Sequence, residues 1–234
     1  MNTKRKSAVF IGICFILAAV TAVVGLILYD PLLNDPAYLR AGDAHRNSVM
    51  LGVLMELILV IAAIGTSTTM FPILRKYNET IALWHVCFRF LEAIVITIGI
   101  ISMLALLTLS HAFVNMTNPD VGSFQVSGIT LKAIHDWTFL LGPNFLLGIN
   151  TMMYSYIFYK TKLIPRFIPI LGMTGSTLVF VCALLVMFGV IEQLSAWGAI
   201  LALPVAANEM ILAVWLIAKG FNISALSTLY TTKK

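Results

Sequence analysis

Apolar residues run in six long stretches, parted by short segments that hold most of the charge, proline and glycine. The stretches fall at about residues 8–28, 48–71, 81–109, 131–159, 167–189 and 194–218. A helix needs roughly 20 apolar residues to cross a bilayer, and each stretch is at least that long. None alternates with the period of two that a half-buried strand would show. The pattern predicts an all-α fold: a polytopic transmembrane bundle of six helices, forming a single integral membrane domain over residues 1–234.

The breaks between stretches support this division. Residues 29–47 are polar and carry Pro31, Pro36 and Gly42. The second span is expected to stop at Pro72, since proline lacks the N–H that would continue a helix. Residues 110–130 read as the longest loop, and Gly220 as the stop of the last helix. The first stretch is longer than the apolar core of a cleaved signal peptide, so it is expected to stay as a span.

Composition agrees with a membrane as the main partner. Hydrophobic residues make up 60% and charged residues 11% of the 234, and the mean hydropathy is +0.96. Soluble domains average roughly 25% charged residues. The net charge of +5 is not gathered into one patch, so no nucleic acid is expected as a partner. The Lys and Arg report orientation instead. Eleven of the fifteen fall on the side of both chain ends, three on the other side, and Arg89 lies within a span. Cytoplasmic loops carry such an excess, so both termini are expected in the cytoplasm, with the chain in the cell membrane. Trp84 and Trp215 then fall near inner span ends and Trp137 and Trp197 near outer ones, as an interfacial belt requires. Cys14, Cys87 and Cys182 each sit in an apolar run and read as small core residues.

Polar groups inside the spans change the picture most. Arg89 and Glu92 lie deep in the third stretch, Glu56 in the second, Asn144 in the fourth, and Asn208 and Glu209 in the sixth. Charges in hydrocarbon are costly, so they face the protein interior and find partners there. At a rise of ~1.5 Å per residue, Arg89 and Glu209 both lie ~13 Å from the cytoplasmic edge, with Glu92 and Glu56 at ~17–18 Å. One buried cluster of Glu56, Arg89, Glu92, Asn144, Asn208 and Glu209 is expected, with Glu209 as the ion partner of Arg89. Binding or movement of a small solute or a proton at this cluster is the function it points to. A cluster that only clasps helices, in a non-catalytic subunit or sensor, is one alternative.

A second group should gather at the outer surface: His45, His111, His135 and Asp136, with Asp43 nearby. These are residue types that zinc accepts, so a metal-dependent membrane enzyme is the other alternative. No paired spacing such as His-x-x-x-His supports it, and no cofactor is expected. His85 has no histidine at equal depth to share a haem. No Gly-rich phosphate loop, Gly-x-Ser-x-Gly or His-Glu-x-x-His occurs, so an enzyme is not the favoured reading.

Four ordered blocks carry a family resemblance: Phe88-Arg89-Phe90-Leu91-Glu92-Ala93, His135-Asp136-Trp137 through Pro143, Leu163-Ile164-Pro165-Arg166, and Pro204 through Glu209 to Phe221. Together they resemble a family of bacterial six-span membrane proteins, domain of unknown function 4386. The resemblance implies a bacterial membrane protein of the same fold and no particular activity. It places Arg89, Glu92, His135, Asp136 and Glu209 within the family's motifs; Glu56 and Asn144 rest on depth alone.

Overall fold

The computed structural model describes residues 3–231. They form ten α-helices and one π-helical turn, with no strand among the described residues. Lys233 and Lys234, counted above with the cytoplasmic charges, lie outside the described residues. Five helices are long and apolar enough to cross a membrane: α1 (Thr3–Leu28), α4 (Arg46–Leu74), α5 (Glu79–Asn115), α8 (Phe167–Met187) and α9 (Ala196–Ala218). The expected fourth span is built differently. It comprises α6 (Val121–Leu140), a π-helical turn (Leu141–Leu146) and α7 (Leu147–Thr161). Pro143 lies in that turn and has no N–H to give to the preceding turn, so the backbone widens there.

Several boundaries differ from expectation for local reasons. Helix α4 runs through Pro72 to Leu74, because a proline in a last turn removes only one backbone bond. The expected loop at 110–130 is mostly helix. Helix α5 extends to Asn115, α6 starts at Val121, and only 116–120 link them. Polarity was the signal for a loop there, but Ser110, His111 and Asn115 sit comfortably on a helix that projects past the bilayer. At 37 residues, α5 is ~55 Å long against a hydrocarbon core of ~30 Å. Asp120 caps α6 by accepting from the backbone N–H of Gly122 at 3.2 Å and the Ser123 hydroxyl at 2.6 Å.

The polar segment 29–47 also folds, as α2 (Asp30–Leu33) and α3 (Tyr38–Ala44). It packs over the end of the bundle: the Ser110 hydroxyl donates to the Leu39 carbonyl at 2.7 Å, and Tyr29 and Leu32 are fully buried. At the opposite end, the Arg5 guanidinium donates to the Leu216 carbonyl at 2.9 Å, placing a cation on the negative end of α9. Gly220, with φ +74°, ends α9 as expected. Helix α10 (Ile223–Thr231) tucks against this end, where Lys4 lies 3.6 Å from the Tyr230 ring centroid.

Helices α8 and α9 meet through small residues. A Cβ on Gly175 would lie 2.6 Å from the Val205 nitrogen, so the two backbones touch beside Pro204. Gly172, one turn earlier on α8, faces Ser155 of α7 and Asn208 of α9. Of the cysteines, Cys14 and Cys182 are buried, but Cys87 is exposed on the outer side of α5 rather than in the core.

Candidate functional site: an intramembrane charged cavity

Helix α5 has a buried stripe at the spacing of three and four that one helix face requires: His85, Arg89, Glu92, Ile96, Gly99 and Met103. Arg89 and Glu92 are 3% and 4% exposed, so their charges are met by protein. The Arg89 guanidinium donates to both carboxylate oxygens of Glu92, at 3.1 and 3.0 Å, and its Nε donates to the Ala63 carbonyl of α4 at 3.4 Å. The Asn150 amide of α7 donates to Glu92 Oε2. The expected pairing of Arg89 with Glu209 is therefore corrected. No hydrogen bond or ion pair joins them among the described residues. Glu92 lies one turn along the same face and is reached without bringing two helices into register.

Glu209 faces the same space from α9. It is half-buried, and its Oε1 is enclosed without a hydrogen-bond partner. Glu56 reaches in from α4 and accepts at Oε2 from the Tyr29 hydroxyl at 3.1 Å. His135 of α6 packs edge-on to Tyr29 at 5.9 Å and stacks on Phe139 at 6.2 Å. These groups surround a cavity of about 220 Å³. Ala18, Ala19 and Ala22 form its α1 wall, and their small side chains leave the space open. Pro143 of the π-helical turn and Leu147 of α7 close another side.

The outer histidines do not converge. His111 Nδ1 lies 2.8 Å from Asp43 Oδ1, while exposed His45, between α3 and α4, has its Nδ1 3.0 Å from the Ala41 carbonyl of α3. His135 turns inward into the cavity wall, and Asp136 points out to the surface at 3.4 Å from His135 Nδ1. Among the described residues, no three His, Cys, Asp or Glu side chains are placed to hold a metal ion. The expectation of a shared site is corrected. Sequence depth put these residues at one level, but they stand on three segments whose side chains aim in different directions.

The sequence profile of a domain of unknown function, DUF4386, matches residues 10–220, which include every charged group of the cavity. The chain belongs to the DUF4386 family. No curated protein and no solved structure matches it.

In this DUF4386 chain, the two asparagines expected in the cluster occupy other places. Asn144 is half-buried in the π-helical turn and does not line the cavity. Asn208 is buried beside Glu209 but turned to α7, where its amide donates to the Tyr154 hydroxyl at 3.2 Å, and it does not line the cavity. Sequence reasoning missed Asn150 and Tyr29. Asn150 carried the same signal as Asn144, a lone amide in an apolar run, but mid-depth favoured Asn144. Tyr29 sits at a span end, where tyrosine usually marks the interface; only the fold of 29–47 turns it inward.

The arrangement separates two kinds of group. Glu92 is engaged by Arg89 and by the Asn150 amide, while Glu209 Oε1 and one oxygen of Glu56 take no hydrogen bond among the described residues and border the cavity.

Proposed function

We propose that this chain is a six-span protein of the cell membrane, with both ends cytoplasmic, whose cavity binds a small solute or a proton for recognition or passage. The sixth crossing is α6, the π-helical turn and α7 taken together. Gathering of Lys4, Arg5, Arg75, Lys76, Lys162, Arg166 and Lys219 in the segments at one end of the bundle supports the orientation. Exposed Trp84, Trp137 and Trp197 suit a lipid interface.

One observation carries the functional reading. Glu209 Oε1 is buried without a partner beside about 220 Å³ of space. A buried acceptor left unmade costs roughly 1–3 kcal/mol, which a donor entering that space would recover.

Proteoliposomes loaded with a pH-sensitive dye test the reading. Gradients of small amines, carboxylic acids and neutral solutes are applied in turn. At least one should give a flux or a proton movement, abolished by Ala22→Trp, which fills the cavity without substituting a charged residue. Identical traces from wild-type and Ala22→Trp vesicles for every solute would overturn it.

A further inference from the structure

We infer that the solute is a small organic monocation, an ammonium on an apolar body, reaching the cavity from the end opposite the basic one. The inference rests on the solute-binding reading above and names its ligand class.

Charge around the cavity is not balanced. Three carboxylates and one guanidinium line it, and the guanidinium is engaged by Glu92. Glu56 receives the Tyr29 hydroxyl and has His135 on its side of the cavity. Glu209 has no donor for Oε1. A single ammonium supplies both missing features: a positive charge, and N–H groups for a charge-assisted bond of ~2.7–2.9 Å. An anion would meet two carboxylates.

The remaining wall sets the body of the ligand. Alanines 18, 19 and 22, Leu59, Ile96 and Leu147 are apolar, and His135 and Thr138 are the uncharged polar side chains that line it, too few to serve the many hydroxyls of a sugar. At about 220 Å³ the space is below the ~300–1,000 Å³ of sites for drug-sized ligands, so the body is one ring or a short chain.

A second chamber supports the direction of access. It measures about 680 Å³, and Leu26, His135 and Phe139 line both chambers, as a wall between them. Asp30, Asp136 and Glu192 border this outer space against one cation, Lys132. That lysine is already turned to the Leu33 carbonyl at 2.9 Å and the Tyr38 ring at 4.1 Å. A concave space with excess carboxylate concentrates cations and raises their on-rate. Its acidity is independent of the inner cavity's and has the same sign.

Calorimetry on the full chain in nanodiscs of zwitterionic lipid tests the class, using phenethylammonium, 2-phenylethanol and 3-phenylpropionate. Phenethylammonium should bind at least tenfold tighter than the alcohol, with no binding of the propionate. Glu209→Gln should bring the ammonium down to the alcohol's affinity and leave the alcohol unchanged. Should Glu209→Gln not fold, the wild-type ranking alone decides. The alcohol or the propionate binding as tightly as the ammonium overturns the cation assignment while leaving solute binding in place, as does an unchanged ammonium affinity in folded Glu209→Gln. Folded wild-type chain that binds none of the three overturns the cation assignment, and the proteoliposome fluxes above decide solute or proton binding separately.

Discussion

Arg89 and Glu92 stand three residues apart on α5 and close on each other, with the guanidinium 3.0 Å from Glu92 Oε2 and both side chains about 95% buried. Glu92 also takes the Asn150 amide, so this pair ties α5 to α7. Breaking a buried pair leaves one uncompensated charge and typically costs ~3–5 kcal/mol. Glu92→Gln should therefore destabilise the protein by that order, and clearly more than Glu209→Gln. The double variant with Arg89→Gln should recover part of the loss. Unfolding in mixed micelles reads this out. A larger coupling between Arg89 and Glu209 than between Arg89 and Glu92 would contradict the pairing.

Gly175 fixes the approach of α8 to α9. The Cβ of an alanine would come within 2.8 Å of both Pro204 C and Val205 N, which are backbone atoms that no rotamer change can move. Gly175→Ala should lower stability by ~1–3 kcal/mol, the usual cost of overpacking. Gly122→Ala makes the control. It lies in the first turn of α6 with its nearest neighbour at 3.5 Å, and it should be neutral or slightly stabilising. Equal effects would mean that the two helices do not touch at Gly175.

Much of this fold was legible in the hydrophobic pattern. Five of the six apolar stretches correspond to long helices, and Gly220 ends α9 as read. The fourth stretch hid a π-helical turn, because Pro143 in a run of apolar residues announces a break but not its form. Site residues were legible in kind and only partly in partner. Burial of Arg89 and Glu92 follows from charge inside an apolar run. Which carboxylate holds Arg89 depends on helix rotation, and equal depth says nothing about rotation. His135 shows the same limit: depth grouped it with His45 and His111, while the facing of α6 sends it into the cavity wall. Tyr29 and Asn150 became partners only through tertiary folding of segments whose polarity is ordinary.

The cap of α6 predicts a local pH dependence. Hydrogen bonds from the Ser123 hydroxyl and backbone N–H, and then from Gly122, hold the Asp120 carboxyl below the usual carboxylate range. With a folded pKa beneath the unfolded one, the stabilisation is complete above the unfolded value of ~3.9 and is lost as pH falls through the folded one. Amide-exchange protection at Gly122 and Ser123 should hold down to about pH 4 and then drop. Asp120→Asn should remove that dependence. A drop between pH 5 and 7 would contradict the assignment.

The outer histidines should act singly. With His135 turned inward and His111 on Asp43, purified chain washed with a chelator should keep its melting temperature, and His111→Ala should leave its metal content unchanged. Elemental analysis giving one zinc per chain, lost in both His111→Ala and His135→Ala, would restore a shared site.

The central claim is that the charged space is a site open to solutes and not a sealed clasp, and accessibility tests it most directly. In a chain lacking Cys14, Cys87 and Cys182, a cysteine is placed at Ala22 in the cavity wall or at fully buried Ala213. A small, membrane-impermeant cationic thiol reagent is added to sealed vesicles from the side of α2 and α3. Ala22→Cys should be modified at least tenfold faster than Ala213→Cys, and phenethylammonium should slow that modification. Equal, negligible labelling of the two positions would contradict the claim.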